Sequence, residues 1–175
     1  MKIESPSFTD QTYHEVIGGY FERERAELVR RLRAIVAGIE ALLPSIDGEA
    51  RSEGDAWNPV ETLAHIAVSA QFFGWVVHEA SEGKEIGAQM LEFMKLRDPS
   101  ILDAVQQPPG ALAAQTRDTI GRTIEFLEAV PFDRLRTRIA FAGRELSAED
   151  FLRISMVHHL EDHLEQARAA GATAG

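Results

Sequence analysis

The chain has 175 residues, with 18 Lys and Arg against 28 Asp and Glu, a formal net charge of −10, six His and no Cys. The length fits a single domain spanning residues 1–175. The lack of Cys excludes disulfides, thiolate metal sites, iron–sulfur clusters and cysteine nucleophiles. The acidic balance argues against a nucleic-acid partner, which needs a basic face to displace counterions from phosphate. No apolar run approaching a membrane span stands out, and Met1 to Asp10 show no cationic stretch followed by an apolar one, so a cytoplasmic protein that acts without a membrane is expected.

Helical periodicity dominates. From Gln11 to Leu43, apolar residues recur every three or four positions (Val16, Ile17, Tyr20, Phe21, Leu28, Leu32, Ile35, Ile39), and charged residues fill the other faces. Glu27 and Arg31 form a favourable i,i+4 pair. Gly18–Gly19 are expected to break or delay this helix, and Pro44 to stop it. A polar loop over residues 44–56 follows. Asn58 then reads as a helix N-cap, Pro59 as the first helical residue and Glu61 as the partner in a capping box. This second helix extends to about Glu79 and is apolar nearly all round, so it is buried on most faces and carries His65 inward.

Residues 80–110 suggest a short helix over Glu85 to Arg97, with Met90 and Met94 filling core gaps, ended by Pro99. Such a long connection is a candidate lid or pocket wall. A third long helix fits Ala111 to Ala129. Weak alternation over residues 135–146 with a turn at Gly143 reads as an extended connection or small hairpin. The last helix opens at Ser147, with Asp150 as capping partner, and runs to about Ala170, where Gly171 is a stop signal. The sum is an all-α chain, a four-helix bundle with an extended or short-helix insertion between helices 2 and 3.

The candidate chemistry lies on the last helix. At 3.6 residues per turn, His159 and His163 fall on the apolar stripe, while His158 falls beside Glu161 and Glu165 on the solvent face. Two imidazoles one turn apart suit a divalent ion, and His65 is the natural third ligand from another helix. Glu61, one turn before His65, and Gln166, one turn after His163, are candidate positioning groups. Glu61 is a possible fourth ligand, and Gln166 a possible partner of a bound water. Asp162 sits at the edge of the stripe and reads as a surface carboxylate. The competing reading is a hydrogen-bonded core histidine cluster. Trp57 and Trp75 read as packing residues, and His14 and His78 as surface residues near helix ends.

Trp57-Asn58-Pro59-Val60-Glu61-Thr62-Leu63-Ala64-His65-Ile66, followed by Phe141-x-Gly143-x-x-x-Ser147 and by His159-x-x-x-His163-x-x-Gln166, resembles the pattern of the DinB/YfiT-like superfamily of metal-dependent enzymes. The resemblance covers nearly the whole chain. It implies a four-helix bundle in up-down-down-up order. It also implies a divalent metal ion, commonly nickel or zinc, on His65, His159 and His163, and a homodimer. Relatives of this kind use low-molecular-weight thiols in S-transfer or isomerisation, so the expected function is a thiol-cosubstrate S-transferase or a hydrolase acting on a small molecule. The alternative is a non-enzymatic, stress-related metal-binding or interaction protein with a structural or vestigial metal site.

Overall fold

The computed structural model describes residues 10–46, 57–141 and 143–173, with side chains from residue 15 to residue 170 within those ranges. The polar loop expected over 44–56 therefore lies mostly outside the described residues, as do the first nine residues and the His14 side chain. The described residues are mostly helical, with one short antiparallel hairpin.

Helix α1 (Asp10–Leu42) runs through Gly18 and Gly19 without a break. Its buried stripe starts only at Leu28 and continues through Leu32, Ile35 and Ile39. Val16 and Tyr20, expected on that stripe, are exposed, because the first turns of α1 extend past the body that the later turns cover. Pro44 enters a single 3₁₀ turn (Leu43–Ser45) that ends the helix.

Helix α2 (Pro59–Ser81) begins with the expected capping box. The Glu61 backbone N–H donates to Asn58 Oδ1 at 2.9 Å, and the Asn58 N–H donates to Glu61 Oε2 at 2.8 Å. Fifteen of its residues are buried, including consecutive ones from Thr62 to Ala70. Against the expectation that no run approaches a membrane span, α2 is long and apolar enough to cross one. However, 72% of the qualifying window is buried inside the fold.

Helix α3 (Gly87–Ala104) passes through Pro99 instead of ending before it. Proline removes one N–H from the ladder, but burial of Ile101 and Ala104 beyond it holds the helix together. Met90 is buried as expected; Met94 is 44% exposed and is not a core filler. Helix α4 (Pro109–Ala129) buries Leu112, Thr116, Ile120, Thr123 and Leu127 along one face. A 3₁₀ turn (Phe132–Arg136) leads into strands β1 (Arg138–Phe141) and β2 (Arg144–Ser147), paired with Ile139 opposite Leu146 and Phe141 opposite Arg144. Gly143 turns the hairpin at φ +74°, a left-handed conformation that glycine adopts without penalty.

The final rod is less uniform than expected. Ser147 caps α5 (Ala148–Phe151) in a second box with Asp150. Residues Leu152–His158 then form a π-helical segment with i→i+5 bonding, and α6 (His159–Thr173) continues past Gly171. Backbone angles at both junctions are helical, so the three pieces are continuous.

Helix α2 packs on α3, α4 and α6, and α1 packs on α4 and α6. Arg31 does not join Glu27, as its spacing suggested; it spans from α1 to α6, where Nε donates to Glu161 Oε1 at 2.8 Å, and Glu27 pairs with Arg30 instead. Arg153 similarly ties the π segment to Glu24 of α1 at 2.6 Å. The α2–α4 contact is close at Gly74, where an added Cβ would lie 2.8 Å from Thr123 Oγ1. Thr123 is buried and β-branched, and it has little room to yield. Gly74→Ala is therefore expected to destabilise the fold by about 1–3 kcal/mol, read as a lower urea midpoint at unchanged m-value.

Candidate metal centre

Three histidines converge between α2 and α6. His65 lies in the second turn of α2 and is 6% exposed, because the helix has almost no polar face to turn outward. His159 and His163 sit one turn apart on α6 and are half-buried. One ring nitrogen from each lies within 4.8 Å of the other two. His65 Nε2 and His159 Nε2 are 2.9 Å apart. Nitrogens that share an ion at about 2.0–2.1 Å stand about 3 Å from each other, so this spacing suits a common ligand.

The electrostatics keep two of the rings neutral. Burial, reinforced by the neighbouring His163 and His159, holds the His65 pKa down at about 3. Burial and His163 hold His159 at about 4. Neutral imidazoles have a lone pair to offer a metal ion. His65 Nε2 has Ser69 Oγ at 3.3 Å as well as His159, while Nδ1, on the other side of the ring, is buried with no hydrogen-bond partner. An unsatisfied buried polar group costs about 1–3 kcal/mol. The donor set, three imidazoles and no thiolate, fits a divalent ion.

The remaining predicted residues divide. Gln166 Oε1 lies 2.9 Å from His163 Nδ1. With that oxygen accepting, the proton sits on Nδ1 and the Nε2 lone pair is presented to the cluster, so Gln166 orients a histidine. The Glu61 carboxylate accepts from the Asn58 N–H and closes the capping box that starts α2. His158 is exposed beside Asp162, both on the solvent face as expected. His78 is also exposed, 3.2 Å from Glu79.

Several residues at the site escaped the sequence reading. Trp57, taken as packing, covers the cluster: its ring lies 4.7 Å from that of His65 and 5.9 Å from that of His163. Phe73 meets His159 edge-on at 5.3 Å. Ser69 and Phe73 stand one and two turns after His65, so helical spacing alone was a sufficient signal for them. Beside the cluster lies a cavity of about 330 Å³ bounded by His65, Ser69 and His159, by Phe72, Phe73, Phe93 and Phe141, and by Met94, Arg97, Ile154 and Ser155. Helix α3 is thus a wall of this pocket. Ile154 and His159 reach the same cavity from five residues apart, which π bonding permits and a regular α-helix does not.

An all-α protein with three imidazoles gathered across two packed helices, beside an aromatic cavity, defines a helical protein able to bind a divalent metal. A family model of the DinB superfamily matches residues 20–167, and the chain belongs to that superfamily. No curated protein and no solved structure matches it significantly.

Two outcomes follow. Gln166→Leu should weaken zinc binding about 10–100-fold, measured by competition with a chromophoric chelator. In the metal-free protein, the unfolded chain takes up protons at His65 and His159 near the ordinary value of 6.5, and the folded chain only near 3 and 4. Stability is therefore fully present above about pH 6.5 and lost as pH falls toward those values. Urea unfolding of metal-free protein across this range should show that decline, and His159→Phe should make it shallower.

Proposed function

We propose that this chain is a divalent-metal-dependent enzyme acting on a small molecule, with His65, His159 and His163 holding the ion. The observation that carries the reading is the cavity, which abuts two of the three histidines and is lined by aromatic rings, giving a substrate a place beside the ion. The pairing of α1, α2, α4 and the α5–α6 rod supports an up-down-down-up four-helix bundle, with α3 as the insertion. Zinc or nickel suits three imidazoles best. A divalent ion in such a site supplies Lewis acidity and lowers the pKa of a coordinated water or thiol.

The reaction class we favour is S-transfer from a low-molecular-weight thiol, with hydrolysis as the related possibility. The chain contains no Cys, so any reacting sulfur must arrive with a cosubstrate. In either case Gln166 fixes the His163 tautomer, and the four phenylalanines give the cavity an apolar wall. The reading also takes the protein as cytoplasmic and homodimeric; exposed Leu91, Leu96 and Leu102 of α3 offer apolar surface for a second copy. One observation favours a second reading, a non-enzymatic stress-related metal-binding protein: no Asp, Glu, Lys or Tyr lines the cavity among the described residues.

Elemental analysis and turnover separate the readings. The native protein is expected to hold one divalent ion per chain and to conjugate glutathione, mycothiol or bacillithiol to a broad electrophile, or to cleave a member of an ester and amide panel. His163→Ala should lose both metal and turnover. A stoichiometric metal whose removal lowers stability, with no turnover on any panel, establishes the binding protein instead.

A further inference from the structure

The inward face of α3 carries one residue out of character. Met90, Phe93, Arg97, Ile101 and Ala104 follow one another at helical spacing, and all but Arg97 are apolar. Met90, Ile101 and Ala104 are buried, and Phe93 is half-buried, its ring stacked on Phe72 of α2 at 3.6 Å. Arg97 shares that stripe but sits at the pocket rim, its side chain 41% exposed, and it lines the cavity with His65 and His159. It is the one Lys or Arg on that lining among the described residues. Its Nε donates to Asp98 at 2.7 Å, while its terminal nitrogens make no hydrogen bond among the described residues.

We infer that Arg97 is a specificity-determining residue and that the cavity takes a small carboxylic acid with an aromatic or apolar body, its carboxylate on the guanidinium and its body among the phenylalanines. This rests on the reading of the cavity as the substrate site. The guanidinium fork matches a carboxylate in shape and charge, and the flat rings of Phe72, Phe73, Phe93 and Phe141 match an apolar body. The volume, about 330 Å³, lies at the small end of ligand pockets.

The probes are hydrocinnamate and its neutral analogue hydrocinnamamide, titrated by calorimetry into the zinc-loaded and the chelator-treated protein. The wild type should bind the acid about tenfold or more tightly than the amide, as loss of a charge-assisted hydrogen bond implies. Arg97→Gln should erase that preference while keeping amide affinity and zinc content unchanged. Arg97→Lys should restore part of it, and Arg122→Gln, on the opposite side of α2, should have no effect. An acid preference that survives in Arg97→Gln overturns the inference, as does no preference, or no binding of either probe, in the wild type. A protein that fails to bind zinc overturns the metal reading alone, because the Arg97-dependent preference is read in the metal-free protein as well.

Discussion

Helix α2 is apolar over most of its surface, and its first half is buried on every side. Its residues from Thr62 to Ala70 are all buried, and the fold meets that demand by laying α3, α4 and α6 against it. Burial on this scale is favourable for Leu63, Ile66 and Val68 and costly for His65, which is drawn inside with them. The capping box at Asn58 and Glu61 sets where the helix starts and hence its rotational phase. That phase lines up His65, Ser69 and Phe73 on the side facing α6. The polar cluster is thus a consequence of how the most apolar helix must be covered, and the partner helix supplies the two rings that answer it.

The partner helix has to be held at the correct rotation. Two ion pairs crossing to α1 serve this purpose, Arg31 with Glu161 and Arg153 with Glu24. Each is partly shielded from solvent, so each is screened less than a fully exposed pair and contributes orientation more than stability. Arg153, the arginine anchor on the last rod, lies within the π segment, whose altered turn lets Ile154 as well as Ser155 line the cavity with His159. Inside the resulting enclosure burial keeps His65 and His159 neutral, which removes charge repulsion between them.

Features set by local chemistry were legible in the sequence. Both capping boxes, the starts of the second and last helices, the Gly143 turn and the i,i+4 histidine pair appear where the residues placed them. The three-histidine set was legible too, because it needed only helical spacing and one judgement about burial. What failed depended on tertiary context. Pro99 signals a helix end locally, yet Ile101 and Ala104 find partners beyond it. With α3 cut short at Arg97, the continuation of its stripe through Ile101 and Ala104 was not visible. Val16 and Tyr20 keep perfect helical spacing, but the spacing does not show how far the neighbouring helices extend. The π segment left no mark in the residue types, and Trp57 lies just outside the helix whose periodicity was being read.

Trp57 has an optical consequence. Its indole rests against two of the three imidazoles and is 37% exposed, whereas Trp75 lies further along α2, half-buried beside Phe72. The two tryptophans are therefore a sensor and a reference built into one chain. Any event that changes charge or hydration at the histidines alters the surroundings of the first fluorophore directly, whereas the second touches no ring of the cluster. Emission from a Trp75→Phe protein would report the occupancy of the cluster directly, in real time and without an added dye.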